Sequence, residues 1–356
     1  MIMKKILLFF VSLSLSLAIF AQPANYYNSA NGLTGNQLKI ALHNIIKGHT
    51  SISYSQILNA YWSTDNKGNG VVWDMYSDRP GGTPPYTYYL GQDECGNYSG
   101  EGDCYNREHS WPKSWFNDQS IPRTDLHHIF PTDGWVNNKR SNYPFGEVRS
   151  AEWTSMNGSK LGSCKTAGYT GTVFEPIDEY KGDFARAIMY ISVRYYGEDS
   201  DWGSSDMTNK SEIKSWAIDM LLRWNDFDPV SQKEIDRNNA IYNDYQHNRN
   251  PFVDHPEYAR MIWDSNWSVF EDEENGFVYV FPNPVERGNT IHLSGNEWKF
   301  DAIAICDLCG HVVAKASGIS SGGLSITIPK DMQMGLYFVK LSKDGEIVKN
   351  LKLMVR

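Results

Sequence analysis

The stretch CYNREHSWPKSWF at residues 104–116 sets a carboxylate directly beside an imidazole. Hydrolysis of a phosphodiester needs a base, positive charge to hold the phosphate and a hard oxygen ligand for a divalent cation. His109, with an ordinary pKa of about 6.5, could be the base, and Glu108 could be a ligand for Mg²⁺. Neighbours in a strand point to opposite faces, so both serve one site only where the strand ends. Trp111-Pro112 predicts that end.

A second polar stretch, DLHHIFPTDGWVNNKRSNYP, occupies residues 125–144. DLHHIF predicts a strand closed by the following proline, and GWVNNKRSN predicts a short helix with Thr132 or Asp133 as its N-cap. Asn137 and Arg140 lie three apart, on one face of that helix. The amide oxygen of Asn137 could complete the metal ligands, and Arg140 could meet a phosphate. Two strands and a helix in this order predict a ββα-metal finger.

Both motifs resemble those of the endonuclease I family, which are secreted or periplasmic nonspecific nucleases with a His-Me (ββα-metal) finger. Three motifs carry the resemblance over roughly residues 34–265: GDCYNREHSWPKSWF at 102–116, DLHHIFPTDGWVNNKRSNYPFGEV at 125–148 and HNRNPFVDHPEYARMIW at 247–263. The resemblance implies that His109 is the general base and that Glu108 and Asn137 are metal ligands. It implies Mg²⁺, or Mn²⁺ or Ca²⁺, as cofactor, and cleavage of DNA and often RNA to leave 5′-phosphates.

The residue that contacts the phosphate stays open at this point. Because the loop between the two strands is short, Arg123 and Lys113 are candidates beside Arg140. In the implied mechanism His109 takes the proton of an in-line water, while the metal and an arginine offset the charge on phosphorus. A nearby carbonyl or amide is expected to hold the other imidazole nitrogen.

Neighbouring residues allow two further assignments. His127 and His128 could begin an HNH-like layout, but structural roles or a phosphate contact are favoured for this pair. Asn138 and Asn142 could replace the predicted amide ligand, although capping or bracing the helix end is favoured.

Other elements follow from hydrophobic periodicity. It predicts helices at 34–62, 183–196, 211–224, from 232 to about 246 and at 257–263, and a strand at 71–77. Between the last two helices, Asp254 and His255 are interpreted as a hydrogen-bonded pair that fixes a loop.

The chain has 356 residues, 41% of them hydrophobic, and a formal net charge of −9. This length suits a well-buried domain and a smaller second one. The acidic total disfavours nonspecific adhesion to nucleic acid but does not exclude a local basic groove, because phosphate contacts depend on charge within roughly 8–10 Å. Lys4 and Lys5 before an apolar run predict a signal peptide at 1–21, and no later segment is predicted to span a membrane.

The five cysteines suit an oxidising destination. Cys95 and Cys104 bracket a Gly-rich loop, which predicts a local disulfide. Cys306 and Cys309 have the spacing of a redox or zinc pair, but no second pair accompanies them. Cys164 has no predicted partner.

The composition changes after Trp267. Residues 268–276, which contain EDEENG, are predicted to be an acidic linker, and short β-rich runs from 277 to 356 predict a small β-sandwich. VYVFPNPV, ICDLCGHVV and GLYFVKL resemble the C-terminal sorting domain of type IX secretion substrates. This resemblance implies recognition by that machinery and export through the periplasm to the surface of a Gram-negative bacterium.

The combined prediction is an α+β fold. A mostly helical nuclease domain at 22–267 contains the ββα-metal finger, and the sorting domain at 277–356 follows the linker. The predicted function is a secreted, metal-dependent endonuclease that acts as a monomer. The alternative is a noncatalytic adhesin or glycan-binding surface protein, suggested by the sorting domain and by the aromatic content of 13%.

Overall fold

The computed structural model describes residues 22–264 and, in the C-terminal part, 278–281, 283, 285–295, 301–317, 324–343 and 345–356. The predicted signal peptide and the predicted acidic linker lie outside these residues. Helices and strands are mixed in the N-terminal part, and the C-terminal part is rich in strands. The predicted mixed class is therefore confirmed at this coarse level.

The helices agree with most of the predicted positions. They are α1 (Gly35–Ile46), α2 (Gln56–Thr64), α3 (Gly134–Arg140), α4 (Lys181–Arg194), α5 (Ser215–Phe227), α6 (Gln232–Ala240), α7 (Pro251–Asp254) and α8 (Tyr258–Trp263). A π-helical segment at Ile241–Gln246 continues α6 to the predicted end. The helix predicted at 34–62 is two helices, because Gly48 adopts a left-handed φ of 72° just past α1.

Short antiparallel sheets accompany these helices. β1 (Tyr105–His109) pairs with β2 (Ile129–Asp133), while β3 (Val148–Thr154), β4 (Lys160–Cys164) and β5 (Thr172–Glu175) form a second sheet. β6 (Thr208–Asn209) pairs with β7 (Glu212–Ile213), and this small hairpin delays the start of α5 relative to its prediction.

The prediction of a strand at 71–77 is wrong. The carboxylate of Asp74 accepts hydrogen bonds from the backbone nitrogens of Tyr76 at 2.8 Å and Asp133 at 3.1 Å. A local bond from a side chain to the backbone competes with a strand ladder and turns the chain. Val71 and Val72 accordingly form only isolated bridges.

The strand predicted over DLHHIF begins later than expected. Leu126–His128 is a 3₁₀ turn, and the side chain of Asp125 accepts a hydrogen bond from the nitrogen of His127 at 3.2 Å. β2 then includes Pro131, which lies opposite Arg107. A proline is tolerated here because each strand of a two-stranded sheet has a free edge.

The central helix α4 is buried along its whole length. It packs against α1, α5 and the 126–128 turn. Its Phe184 ring stacks on Phe145 at 4.7 Å, and its Arg186 forms a buried ion pair with Glu234. The turn that leads into β2 therefore rests on the core of the protein.

The C-terminal strands form two antiparallel sheets. One has the order β12 (Leu324–Thr327), β9 (Thr290–Gly295), β8 (Val278–Phe281); the other has the order β11 (Val312–Ser317), β10 (Ala302–Cys306), β13 (Gly335–Lys343), β14 (Glu346–Val355). Apolar residues of both sheets, among them Ile291, Ile305 and Leu353, form one buried cluster. Within the residues that the structure covers, no helix has the length and apolar character needed to cross a bilayer.

Candidate active site

Helix α3 begins directly after β2 because Asp133 caps it. Its Oδ1 accepts a hydrogen bond from the nitrogen of Val136 at 2.7 Å, and its Oδ2 accepts one from the hydroxyl of Tyr88 at 2.6 Å. Of the two predicted caps, the structure confirms Asp133 rather than Thr132. This tight junction fixes the direction in which the side chains of α3 project.

Asn137 and Arg140 attach α3 to the edge of β1. Nδ2 of Asn137 donates to Oδ1 of Asn106 at 2.7 Å and to the carbonyl of Arg107 at 3.3 Å. Nη1 of Arg140 donates to the carbonyl of His109 at 2.9 Å. The structure therefore brings the two predicted helix residues to the predicted strand.

Glu108 is a buried carboxylate, with 1% of its surface exposed. Its Oε1 accepts a hydrogen bond from the hydroxyl of Tyr76 at 3.0 Å and lies 3.1 Å from Nη1 of Arg140. Burial raises the pKa of Glu108 to about 7, although Arg140 and Tyr76 both act to lower it. The carboxyl group is therefore poised to change charge near neutral pH.

Arg140 is committed to this buried cluster, since only 1% of its surface is exposed. It donates to the carbonyls of His109 and Ser110, pairs with Glu108, and lies 4.6 Å from the ring centre of Phe145. A contact with a bound phosphate needs an accessible guanidinium. The predicted phosphate contact is therefore unsupported, and the geometry gives Arg140 the task of holding Glu108.

His109 ends β1 and is 5% exposed. Its Nε2 lies 3.0 Å from the carbonyl oxygen of Arg123. Because a carbonyl only accepts, Nε2 carries the proton and Nδ1 is the basic nitrogen. Burial, followed by the neighbouring His128, holds the pKa of His109 well below its ordinary value, so the imidazole is neutral at neutral pH.

The structure places His127 and His128 in structural positions. Nε2 of His127 bonds to the carbonyl of Asn248 at 3.2 Å, and Nε2 of His128 bonds to the carbonyl of Pro122 at 2.7 Å. Burial lowers the pKa of His127 to about 3 and that of His128 to about 4. Both rings are neutral, and each is held through Nε2 by a backbone carbonyl, which favours the structural interpretation over an HNH-like layout.

Asp125 anchors the segment that carries the carbonyl of Arg123. Its Oδ2 accepts hydrogen bonds from the hydroxyls of Tyr190 at 2.9 Å and Tyr195 at 3.0 Å, and its Oδ1 accepts one from Gln246 at 3.0 Å. These partners come from α4, the residue after it, and the segment after α6. The partner of the His109 imidazole is therefore tied to the core.

Arg123 is half-buried and accessible to a ligand. Its guanidinium lies 4.6 Å from the ring centre of Tyr54, and the guanidinium of Arg107 lies 4.3 Å from the same ring. Neither Arg107 nor Tyr54 was predicted from the sequence as a residue of the site. Strand alternation in β1 places Arg107 on the face of His109, and this signal could have identified it. Lys113 lies in a 3₁₀ turn, Lys113–Phe116, that follows β1.

The predicted hydrogen bond between Asp254 and His255 is wrong. Asp254 accepts two hydrogen bonds from Arg249 at 2.7 Å and one from Tyr27, whereas Nδ1 of His255 lies 3.0 Å from Glu257. Arginine offers a planar pair of donors that matches a carboxylate better than one imidazole nitrogen does.

A disulfide joins Cys95 to Cys104, as predicted, with their Cα atoms 5.8 Å apart. It ties the preceding loop to the residue before β1. Cys164 and Cys306 are buried free thiols, and Cys309 is an exposed one. The spacing of Cys306 and Cys309 therefore does not correspond to a bonded pair here.

Comparison with known proteins decides the family. The sequence model of Endonuclease I matches residues 34–257. The chain belongs to the endonuclease I family. Its residues 279–356 match the secretion system C-terminal sorting domain.

Three relatives illustrate how far the similarity extends. An extracellular ribonuclease of Bacillus amyloliquefaciens is 41% identical over 252 residues, covering 68% of this chain and 79% of the relative. An extracellular ribonuclease of Bacillus subtilis (strain 168) is 39% identical over 264 residues, covering 71% of this chain and 83% of the relative. Endonuclease-1 of Buchnera aphidicola subsp. Baizongia pistaciae is 30% identical over 139 residues, covering 39% and 49%.

This endonuclease I family member is therefore a nuclease. Its sorting domain and its similarity to extracellular nucleases place it outside the cell or at the cell surface.

Proposed function

We propose that this protein is a metal-dependent endonuclease that hydrolyses phosphodiester bonds of DNA and RNA to leave 5′-phosphates, with His109 as general base. The observation that carries the proposal is the bond from Nε2 of His109 to the carbonyl of Arg123. It leaves Nδ1 as the nitrogen that takes a proton from water. RNA is included because the two Bacillus relatives are named extracellular ribonucleases.

The site lies in a ββα-metal finger made of β1, β2 and α3. The antiparallel pairing of β1 with β2, and the attachment of α3 along the edge of β1, support this assignment. The finger belongs to a catalytic domain at 22–267, and a sorting domain with the architecture of a β-sandwich follows at 277–356. Residues 1–21 are the proposed signal peptide.

Glu108 and Asn137 fit a single divalent cation, Mg²⁺ or else Mn²⁺ or Ca²⁺. They supply a carboxylate and an amide oxygen, the hard donors that Mg²⁺ prefers. Oε1 of Glu108 is held by Tyr76 and Arg140, and Nδ2 of Asn137 donates to Asn106, so outer partners orient both groups. When bound, the cation supplies positive charge to the phosphate and to the leaving oxygen.

The residues of the chain have distinct tasks in the reaction. His109 accepts the proton of the attacking water at Nδ1, and the carbonyl of Arg123 holds the imidazolium that results. The guanidinium of Arg123 binds the scissile phosphate. Arg140 lowers the pKa of Glu108 against the effect of burial and so favours its ionised form. Glu108 and His109 are the last two residues of β1, and in the proposed reaction both act on one phosphate at this end of the strand.

A plasmid assay tests the proposal. The mature protein is expected to degrade plasmid DNA with Mg²⁺, and this activity should disappear with EDTA or in the His109→Ala variant. A parallel assay with purified RNA tests the second substrate. An adhesin would leave the plasmid intact in every arm, and that outcome would end the proposal.

The ligand assignment has its own control. Glu108→Ala and Asn137→Ala should require more Mg²⁺ for half-maximal cleavage, because each removes one oxygen ligand. Asn138→Ala removes an exposed amide from the next position of α3 and should leave the Mg²⁺ requirement unchanged. Equal requirements for the variants at 137 and 138 would show that Asn137 is not a ligand.

A further inference from the structure

Within the described part of the chain, Arg107 is a cation with which no carboxylate pairs. Buried arginines elsewhere in the protein pair with acids, as Arg140 does with Glu108, Arg186 with Glu234 and Arg237 with Asp65. Half-buried Arg107 forms no ion pair with any residue that the structure describes, and its buried Nε has no hydrogen-bond partner. A partly desolvated charge without a partner is costly. Its presence in a protein of net charge −9 points to an anion from outside the chain.

A second cation lies beside it on the same aromatic ring. The Cζ atoms of Arg107 and Arg123 lie 4.3 and 4.6 Å from the ring centre of Tyr54. The two Cζ atoms are therefore at most 8.9 Å apart. Among the residues described, the acidic side chain in contact with these two arginines is that of Asp118, which lies 3.4 Å from Nε of Arg123 and is half exposed. Such an exposed ion pair is weak and screened by salt. The cluster therefore keeps most of its positive charge for a ligand.

The cluster borders the proposed general base. The ring of Tyr54 lies 6.3 Å from the imidazole of His109, and the two planes differ by 12°. Arg107 and His109 share one face of β1, because they are two residues apart in a strand. An anion held by Arg107 is therefore a neighbour of the phosphate that is attacked by the water which His109 deprotonates.

We propose that Arg107, positioned by the ring of Tyr54, binds the phosphate adjacent to the scissile phosphate of a nucleic-acid strand. Stacking on an aromatic face leaves the edge of a guanidinium free to bind phosphate oxygens in a bidentate manner. Tyr54 is a positioning residue that acts through Arg107. This inference rests on the proposed function, since it takes the phosphate at His109 as the scissile one.

Binding without cleavage tests the inference. A fluorescein-labelled single-stranded DNA is titrated with full-length mature His109→Ala protein in EDTA, and anisotropy is followed at several salt concentrations. Arg107→Ala should weaken binding about ten- to a hundredfold. It should also reduce the slope of log K against log salt by about 0.7, the contribution of one phosphate on a single strand. Arg149→Ala, which removes an exposed arginine from β3, should change neither quantity.

A conservative variant of Tyr54 separates the contribution of its ring from that of its hydroxyl. Tyr54→Phe keeps the ring and should bind like the parent, whereas Tyr54→Ala should weaken binding. The effect of Tyr54→Ala should shrink in the Arg107→Ala background, because the ring then has no Arg107 to position. Additive effects would exclude this positioning role.

Replacing single charged phosphates of the DNA by neutral linkages locates the phosphate that Arg107 contacts. Methylphosphonate at single linkages of the DNA should weaken binding by the parent at one particular linkage, and Arg107→Ala should be insensitive there. The proposal is overturned if Arg107→Ala and Arg149→Ala behave alike, if sensitivity at every linkage survives Arg107→Ala, or if the parent binds no DNA. Since no cleavage is measured, failure of the plasmid assay with this binding intact would count against the proposed function alone.

Discussion

Replacing Arg140 by methionine is expected to destabilise the protein severely. The variant keeps an elongated side chain but removes the guanidinium that lies 3.1 Å from Glu108, in a pair whose side chains are 1% and 2% exposed. Removing one partner of a buried pair costs about 3–5 kcal/mol, because Glu108 must then stay buried without its counter-charge or take up a proton. The lost hydrogen bonds to the carbonyls of His109 and Ser110 act in the same direction.

Urea unfolding in EDTA measures this cost without interference from metal. Tryptophan fluorescence is a suitable signal, because most of the tryptophans lie in the N-terminal part. Glu108→Gln combined with Arg140→Met should recover part of the loss, since a neutral amide needs no counter-charge. We expect a coupling energy on the order of 1–3 kcal/mol between the two sites.

The matched control is Arg223→Met. Arg223 pairs with Glu147 at 3.4 Å, and its side chain is 50% exposed, so its loss should cost about 1 kcal/mol or less. If Arg140→Met cost no more than this control, or if its effect added simply to that of Glu108→Gln, the buried pair would not be the task of Arg140. A phosphate contact would then be the better assignment.

Two further predictions concern stability. Buried His127 and His128 have pKa values near 3 and 4, so the unfolded chain takes up protons first as the pH falls below about 6.5. The free energy of unfolding should therefore fall between pH 6.5 and 4, by up to about 1.4 kcal/mol per pH unit for each ring. His127→Gln should flatten this pH dependence, and an unchanged slope in the variant would contradict the prediction. Reduction of Cys95–Cys104, which are nine apart in sequence, should cost about 2–3 kcal/mol, and equal melting curves with and without reductant would refute this.

Local signals predicted the elements that carry the candidate site. Trp111-Pro112 marked the end of β1, and Asp133 marked the start of α3 through its capping oxygen. The spacing of Asn137 and Arg140 placed both on one side of a helix, which the structure confirms by their contacts with β1. Each of these signals depends on residues within a few positions of one another.

Long-range partners were not predictable from one sequence. Helical spacing shows that Arg140 shares a face with Asn137, but not that the facing group is buried Glu108 from another element. The β-branched and aromatic residues at 71–77 suit a strand, yet the carboxylate of Asp74 forms a turn there and reaches the nitrogen of Asp133. The carbonyl that holds the imidazole of His109 likewise has no signature in the side chains.

Chemical rescue tests the central claim most directly, namely that the imidazole of His109 takes the proton of water. His109→Ala should lower kcat for plasmid cleavage by about 10²- to 10⁴-fold, and added free imidazole should restore part of the rate in proportion to its concentration. His247→Ala, which removes an exposed imidazole, should cleave normally and gain nothing. A folded His109→Ala protein that cleaves at the rate of the unmodified enzyme would contradict the account.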